Sequence, residues 1–411
     1  MREKWDIHDE HSIEMRTILV FLIFVSLKSI GQADLTYHYT IPLQRKDGLQ
    51  TASIAEAGID SNKIIDLTNK ILANTYNNIH SLLILRNNKL VYENYFEGAD
   101  KTIVFGADDK ELVRAGSNRP YSNPADSLHD ARSVTKSVVS ACIGIAIAQG
   151  KIKSVDQRIW DYFPRYSSLD TGIRSTITIR HLLTMTSGLD MSEAVPYDDP
   201  ANTERQMNRS ADLLQYVLSR PIIHTPGTKW NYSGGCTELL AAIINKATGL
   251  EVDAFAKKYL FEPLGIKNFT WVRLPSTAIR KGTPAAASGL RLSSRDMLKF
   301  GLLYANEGKW EKKQIITPGW IKESLRFYFI AYDEEDDKTY YGYQFWGADV
   351  KIGNSKTKAF AAMGNGGQLV VIVPSLEIVV VVTAGNYGNV QLGQHSYNLV
   401  DKEIYPAIQK K

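Results

Sequence analysis

Short apolar runs near both ends of the chain have the length and composition of β-strands. Residues 81–85 and 89–96 flank an Asn-Asn dipeptide, which favours a tight hairpin turn. Residues 369–373 and 378–383 are likewise separated by a short turn. The pattern therefore predicts two β-hairpins, one contributed by each end of the chain.

Between the two hairpins, and also before the first and after the second, the apolar residues recur mostly at helical spacing. This periodicity predicts helices over residues 54–78, 137–150, 177–185, 210–218, 237–247, 294–306 and 397–408. Strands at both ends and a helical middle favour an α+β fold. We expect a single antiparallel sheet built from both chain ends and flanked by helices, with a mainly helical insertion at about residues 151–288.

The N-terminal residues have the features of a secretory signal. Arg16 precedes an apolar core of about ten residues, and small residues follow at the expected cleavage site. The core is too short to span a bilayer, which takes about twenty residues. We predict a signal peptide over residues 1–33, with Met15 as an alternative start, and a periplasmic or secreted protein; an uncleaved anchor is the alternative. The folded domain would then extend over residues 34–408, with no stable membrane span after processing.

Composition argues against several classes of function. The net charge of +4 is small for 411 residues, and the basic residues are scattered, which disfavours nucleic-acid binding. The sequence has no G-x-S-x-G elbow, no phosphate-binding glycine fingerprint and no histidines at metal-ligand spacing after the signal. We expect neither a cofactor nor a metal. Cys142 and Cys236 fall in apolar helical patterns and are predicted to be buried small hydrophobic residues, although the sequence leaves their pairing open.

A Ser-x-x-Lys pattern at the start of one apolar helix provides candidate chemistry. Residues three apart on a helix share a face, so Lys136 can bring its amine to the hydroxyl of Ser133. Such an amine can activate a serine if burial or nearby positive charge lowers its pKa. The first helical turn also offers backbone N–H groups to a developing oxyanion. The same pattern recurs at Ser355 and Lys358, in a polar stretch that predicts a solvated loop.

Two later loops could complete an acyl-transfer site. Residues 226–235 form a loop that enters a helix and presents Tyr232, and a tyrosine beside a lysine can exchange protons. The glycine-rich segment 364–368 directly precedes an apolar strand. Its last backbone amide, that of Gln368, could therefore bind an oxyanion together with the amide of Ser133.

In order along the chain, these elements resemble the motifs S-x-x-K, Y-x-N and K-T-G of the serine β-lactamase and penicillin-binding superfamily. The likeness is greatest to the class C-like branch, which includes 6-aminohexanoate-dimer hydrolases, esterases and D-peptidases. It covers most of residues 50–408, and it is carried by residues 131–137, 179–189, 226–235, 261–266, 341–346 and 364–368. The resemblance implies a β-lactamase-like fold and an acyl-enzyme mechanism.

The resemblance also implies roles for the residues of the first two motifs. Ser133 would be the acyl-enzyme nucleophile, with Lys136 as its activating partner and Tyr232 as the second proton carrier. The second motif continues with Ser233, a candidate substrate contact, and Gly234. Glycine stands where the family pattern has an asparagine that helps to hold the substrate.

The third motif departs from the family pattern as well. The resemblance assigns it to Asn365, Gly366 and Gly367, with the backbone amides of Ser133 and Gln368 as the oxyanion hole. Neutral Asn365 stands where β-lactam-recognising members carry a cation. A cation would attract the carboxylate of a β-lactam or a peptide terminus, so its absence disfavours those substrates and leaves acyl transfer intact.

We therefore expect an exported serine hydrolase that cleaves a small amide or ester, with linear amides of the 6-aminohexanoate-dimer type as the family analogue. Within the enzyme class, the alternatives are a carboxylesterase, a D-aminopeptidase and a β-lactamase. A non-catalytic sensor that keeps the fold is the alternative of another class, and the joint presence of Ser133, Lys136 and Tyr232 argues against it. Residues 191–208, with Tyr197 and several acids, are predicted to form a lid over the cleft.

Overall fold

Both ends of the chain contribute strands to one nine-stranded sheet. The computed structural model describes residues 36–100, 119–120, 126–191, 193, 195–196, 199–278, 281–334, 337–353 and 355–409. The strands in the described residues are β1 (Gln50–Thr51), β2 (Ile79–Arg86), β3 (Lys89–Tyr95), β4 (Ala99–Asp100), β5 (Arg119–Pro120), β6 (His129–Asp130), β7 (Thr270–Trp271), β8 (Leu290–Leu292), β9 (Lys309–Trp310), β10 (Lys313–Gln314), β11 (Phe329–Glu334), β12 (Asp337–Tyr341), β13 (Trp346–Ile352), β14 (Ser355–Gly364), β15 (Gln368–Val373) and β16 (Ile378–Ala384).

The order across the large sheet is β1-β3-β2-β16-β15-β14-β13-β12-β11. Its neighbouring strands are antiparallel except for the short parallel pair of β1 with β3. The N-terminal hairpin meets the C-terminal one where Leu83 pairs with Val381. Asn87 and Asn88 both have positive φ, 52° and 63°, as a two-residue hairpin turn of the primed type requires. The prediction of one antiparallel sheet from both chain ends is confirmed.

The helices lie mainly where the periodicity predicts them. The α-helices in the described residues are α1 (Ser61–Leu72), α2 (Val134–Ala148), α3 (Ile179–Leu183), α4 (Thr203–Arg209), α5 (Leu213–Leu218), α6 (Gly234–Thr248), α7 (Val252–Ala256), α8 (Ser294–Ala305), α9 (Pro318–Ser324), α10 (Val390–Leu399) and α11 (Tyr405–Ala407). A π-helical segment, Val400–Ile404, joins the last two. The first helix is shorter than predicted because Asp60 caps its N-terminus and accepts from the backbone N–H of Asn62 at 3.0 Å.

Along each interior strand of the sheet, successive side chains point alternately into two hydrophobic cores. In β2, Leu83 and Leu85 face the core that contains α2 and α8, whereas Leu82 and Ile84 face the core beneath α1 and the C-terminal helices. Strands β15 and β16 alternate in the same way. Because both faces are covered by helices, these strands are apolar at nearly every position and lack a period of two.

Strands β11 to β14 were not predicted, because much of their surface faces solvent and their sequences carry no continuous apolar run. The predicted loop at Ser355 and Lys358 is wrong, since both residues lie in β14. Residues three apart in a strand point to opposite faces. Ser355 lines a cavity of about 480 Å³, whereas the amine of Lys358 lies 4.5 Å from the ring centroid of Phe327. This second Ser-x-x-Lys pattern therefore cannot form a catalytic pair.

Several other expectations concern the ends and the middle of the chain. The predicted signal peptide lies outside the described residues, and so do residues 101–118 and 121–125. Among the helices in the described part of the chain, none has the length and apolar character needed to cross a membrane. Cys142 and Cys236 are buried, as predicted, and both thiols are free. Residues 151–288 contain mostly helical elements, and the subdomain boundaries stay a prediction.

Candidate active site

Ser133 is the N-cap residue of α2, at the end of a sharp turn. The residue before it, Arg132, has a φ of 51°, a left-handed conformation that non-glycine residues seldom adopt. Its guanidinium lies 4.3 Å from the ring centroid of Tyr387, and its Nη2 lies 3.5 Å from a carboxylate oxygen of Asp130. These contacts hold a strained turn that presents the Ser133 hydroxyl at the start of the helix.

The three residues predicted to transfer protons lie together. The amine of Lys136 donates to Ser133 Oγ at 3.1 Å and to the carbonyl oxygen of Ala287 at 2.9 Å. It lies 5.0 Å from the ring centroid of Tyr232. Lys136 is only 2% exposed, so its charge is shielded from water and acts strongly on both hydroxyl groups.

The backbone of the first helical turn is less available than the sequence suggested. The N–H groups of Val134, Thr135 and Lys136 donate to the carbonyl oxygens of Ala131, Arg132 and Ser133, at 3.2, 2.9 and 3.0 Å. Bonds of this i→i+3 type satisfy the amides that open a helix. The oxyanion role predicted at this turn therefore falls to the amide of Ser133 itself.

The pKa of Lys136 does not move in the direction that a lysine base requires. Burial of the amine favours the neutral form, but the neighbouring acidic groups favour the ammonium form more strongly, and the pKa is raised. These groups are Tyr232, Glu204 and Glu193. Burial also raises the pKa of Tyr232, while the charge of Lys136 and a hydrogen bond with Ser133 offset part of that rise. Lys136 is therefore best described as a cation whose charge favours the phenolate form of Tyr232, which burial disfavours.

Three carboxyl groups that the sequence analysis did not assign surround this pair. Burial raises the pKa of Glu193 to about 8, and the charge of Glu204 adds to the rise. Burial likewise raises the pKa of Glu238 to about 7, although its carboxylate accepts from the backbone N–H of Ala287 at 2.9 Å. Glu193 and Glu204 each keep one oxygen that is shielded from solvent and has no hydrogen-bond partner in the described residues.

Glu193 takes the space that the missing asparagine leaves. A Cβ atom on Gly234 would lie 3.3 Å from Glu193 Oε1 and 3.1 Å from the Cβ of Ala287. The same carboxylate accepts a short hydrogen bond from the backbone N–H of Gly234. Glu193 and Glu204 both belong to the segment predicted as a lid, whose Tyr197 lies outside the described residues. A carboxyl group thus stands where the family pattern has an amide.

An aromatic wall leads from Tyr232 to the protein surface. It consists of Trp230, Tyr232, Tyr332, Tyr341 and Trp346. The rings of Tyr232 and Trp346 stack with centroids 5.6 Å apart, and Trp346 stacks on Tyr332 at 5.9 Å. Tyr332 is 54% exposed, whereas Tyr341 is buried. The wall offers an apolar, planar surface next to the proton-transfer pair.

The glycine-rich third motif lies beside the nucleophile turn. A Cβ atom on Gly364 would lie 2.4 Å from the carbonyl oxygen of Ala131 and 3.0 Å from the Cβ of Arg132. Gln368, which pairs with Gly364 at the end of β14 and β15, is fully buried. Its side-chain amide bonds both backbone groups of Ala384, at 2.6 and 3.2 Å. These bonds fix the position of the backbone proposed for the oxyanion hole.

The glycines of this motif serve packing as well as access. Gly366 and Gly367 have positive φ angles of 89° and 96°. A Cβ atom on Gly366 would lie 2.5 Å from the ring of Tyr387, and a Cβ atom on Gly367 would lie 2.4 Å from Ser396 Oγ. The side chain of Asn365 accepts from the backbone N–H of Gly388 at 2.9 Å. The two glycines are therefore required by neighbouring protein atoms.

Ser233, the predicted substrate contact, caps helix α6. Its hydroxyl accepts from the backbone N–H of Cys236 at 3.3 Å. The residue is 2% exposed. Its side chain therefore has a structural role at the N-terminus of the helix, and a contact with substrate stays a prediction.

Comparison with known proteins agrees with the geometry. A family model described as Beta-lactamase matches residues 80–401. An uncharacterised protein of Alkalihalophilus pseudofirmus is 25% identical over 329 residues, or 75% of this chain and 84% of that protein. Esterase EstB of Burkholderia gladioli is 30% identical over 155 residues, which are 36% of this chain and 39% of the esterase. The solved structure of a putative 6-aminohexanoate-dimer hydrolase from Bacillus anthracis is 19% identical and superimposes with a TM-score of 0.58. The match covers 89% of this chain and 87% of the hydrolase chain, so the two share the fold.

Proposed function

The chain belongs to the β-lactamase family and is a serine hydrolase, and we propose that it is exported and cleaves a small amide or ester through an acyl-enzyme on Ser133. The observation that carries the proposal is the buried amine of Lys136, 3.1 Å from Ser133 Oγ and next to Tyr232. Nucleophile, cation and second proton carrier thereby share one site, as covalent acyl transfer requires.

In the acylation step, Ser133 Oγ bonds to the substrate carbonyl carbon and its proton passes to Tyr232 in its phenolate form, which is the minor form because burial raises the pKa of Tyr232. Lys136 in the ammonium form cannot accept that proton, but its charge stabilises the phenolate that can. The carbonyl electron pair moves onto oxygen, where the backbone amides of Ser133 and Gln368 would donate to it. Tyr232 then protonates the leaving amine or alcohol as the carbon–leaving-group bond breaks.

In the deacylation step, a water molecule replaces the leaving group. The water oxygen bonds to the acyl carbon while Tyr232 accepts a proton from the water. Tyr232 then returns a proton to Ser133 Oγ as the ester bond breaks. The reaction is hydrolysis and needs no electron carrier.

The surroundings of the pair favour a substrate with an apolar acyl or leaving group. The aromatic wall presents stacked rings beside Tyr232. Asn365 supplies no charge to attract a carboxylate, which disfavours β-lactams and free peptide termini. The relatives named above include an esterase and a putative amide hydrolase, so both bond types belong in the test.

Export rests on the sequence of residues 1–33 and stays part of the proposal. An apolar core of signal-peptide length follows Arg16. Expression of the full chain in a bacterial host followed by N-terminal sequencing of the mature protein tests it. A new N-terminus near residue 34 supports export, and an intact N-terminus on a cytoplasmic protein contradicts it.

The pH dependence should report the charge of Glu193. With a pKa of about 8, this carboxyl group ionises in the working range and then holds protons on Lys136 and Tyr232. Glu193→Gln removes that negative charge, so Tyr232 should lose its proton at lower pH. We expect the acidic limb of kcat/KM to move down by about one pH unit. Glu307→Gln, an exposed acid, is the control, and the same profile in both variants contradicts the role of Glu193.

A parallel substrate panel decides among the possible activities. Purified protein is tested with p-nitrophenyl esters of increasing acyl length, a 6-aminohexanoate dimer, D-alanyl amides and nitrocefin. We expect turnover of esters or linear amides at least about tenfold above that of nitrocefin, because neutral Asn365 stands where a cation would attract the β-lactam carboxylate. Dominant nitrocefin hydrolysis contradicts the proposed substrate class, and no turnover or covalent labelling at all favours the non-catalytic sensor.

A further inference from the structure

Two fully buried histidines lie side by side behind the nucleophile turn. His80 on β2 and His129 on β6 are both 0% exposed, and His80 Nδ1 lies 2.9 Å from His129 Nε2. A carboxylate oxygen of Asp100 lies 3.9 Å from the same Nε2. All three ligand atoms lie within 4.8 Å of one another. None of these residues takes part in the proposed acyl transfer.

Each ring has an outer nitrogen that faces away from the other histidine, His80 Nε2 and His129 Nδ1. The hydrogen-bond partners of these two nitrogens determine which nitrogen of each ring carries the proton. The side-chain nitrogen of Asn78 donates to the carbonyl oxygen of Ala99, and its side-chain oxygen accepts from the Ala99 N–H, both at 2.8 Å. These two bonds fix the orientation of the amide, so the atom that lies 3.1 Å from His80 Nε2 is the Asn78 oxygen. That oxygen can only accept, and His80 Nε2 must carry the proton. His129 Nδ1 lies 3.2 Å from the carbonyl oxygen of Asp130, which also can only accept. The hydroxyl of Tyr387 lies 3.5 Å from the same Nδ1, but it donates to Asp100 Oδ1 at the shorter distance of 3.2 Å. A neutral His129 therefore carries its proton on Nδ1.

With both outer nitrogens protonated, the inner nitrogens of neutral His80 and His129 point lone pairs at each other. Two lone pairs at 2.9 Å repel, and a shared cation turns the contact into an attraction. Histidines that bind metals show this same arrangement, in which the outer N–H donates to a carbonyl and the inner nitrogen binds the ion. Asp100 supplies a negative charge 3.9 Å from His129 Nε2.

We propose that His80 Nδ1, His129 Nε2 and a carboxylate oxygen of Asp100 bind one divalent transition-metal ion of the zinc class. Two imidazoles and a carboxylate are a donor set that zinc and cobalt accept, with water as a fourth ligand. Ligands at about 2.0–2.1 Å in a tetrahedron lie roughly 3.3 Å apart. The observed 2.9 and 3.9 Å bracket that separation, so small side-chain shifts complete the site.

The ion would stabilise the turn that carries the nucleophile. His129 lies four residues before Ser133, in the strand that leads into the turn. The hydroxyl of Tyr387 lies 3.2 Å from Asp100 Oδ1, and the ring of Tyr387 packs against Arg132 and Gly366. A metal at this position therefore links β2, β4 and β6 directly behind both the nucleophile turn and the glycine-rich loop.

The test uses the untagged full-length chain, dialysed against a chelator and then titrated with zinc chloride and with cobalt chloride. We expect one zinc ion per chain to bind to the His80 site, a visible absorption spectrum of tetrahedral cobalt, and a melting temperature several degrees higher at 100-fold excess over Kd. Absence of a bound ion in calorimetry and of a cobalt spectrum overturns the proposal and leaves a shared proton between the rings.

Two variants and a matched control locate the ion. Asp100→Asn keeps the volume of a partly exposed residue and should weaken zinc binding at least about tenfold. His129→Asn should abolish binding of that ion, and circular dichroism checks its folding. Asp126→Asn, an exposed aspartate with 80% of its side chain accessible, should bind zinc like the wild type. Unchanged stoichiometry and affinity in a folded Asp100→Asn protein overturns the assignment even if His129→Asn does not fold.

Discussion

Replacing Ser133 with alanine should lower kcat/KM for the best ester or amide substrate by about 10³-fold or more. The substitution removes the atom that bonds to the acyl carbon, and neither Lys136 nor Tyr232 can replace it as a nucleophile in this geometry. Stability should change little, because the Ser133 side chain makes no capping hydrogen bond in α2. Steady-state kinetics together with thermal melting measure both effects.

The second Ser-x-x-Lys pattern provides a matched control for this experiment. Ser355→Ala changes the same residue type in the same short motif, but on an exposed strand where Lys358 points to the opposite face. Its kinetics should equal those of the wild type. Loss of activity in Ser355→Ala, or its retention in Ser133→Ala, would mean that the nucleophile is assigned to the wrong site.

Removing one oxygen from Tyr232 should have the second largest effect. In Tyr232→Phe the ring still stacks on Trp346, but no group remains to take the proton of Ser133 Oγ while Lys136 is charged. We expect the acylation rate to fall by about 10²- to 10⁴-fold, the usual range for loss of a general base. Single-turnover kinetics with a chromogenic ester measure acylation separately from deacylation.

A neighbouring aromatic residue controls for changes in the wall itself. Tyr332→Phe also removes a phenol hydroxyl next to Trp346 and Trp230. Tyr332, however, is 54% exposed and has no part in the proposed proton transfer. Its acylation rate should stay within about threefold of the wild type. Equal rates for Tyr232→Phe and the wild type would instead make neutral Lys136 the base.

The sequence alone predicted the parts of the molecule that depend on local pattern. Both hairpins follow from apolar runs and turn residues, and helix α2 follows from the buried stretch after Ser133. The contact of Lys136 with Ser133 follows from helical spacing, since residues three apart share a face. Strands β11 to β13 could not be predicted in this way, because their exposed faces remove the hydrophobic period.

The charged surroundings of the site could not be predicted from spacing. Glu193 and Glu204 belong to one segment and Tyr232 to another, and they meet at Lys136 only in the folded chain. Tyr232, Glu204 and Glu193 together reverse the shift that burial alone would give to the pKa of Lys136. One signal was present in the sequence, because Glu238 is an acid inside the apolar pattern of α6. Likewise 49 residues separate His80 from His129, so no motif linked them.

The most direct test of the central claim is the mass of the protein during turnover of p-nitrophenyl acetate. Rapid acid quenching, intact mass measurement and peptide mapping identify where the acyl group is attached. We predict a burst of one nitrophenolate per chain and a single acetyl group on the peptide that contains Ser133, both absent from Ser133→Ala. An acetyl group on another residue, or turnover without any acylated protein, would contradict the acyl-enzyme mechanism.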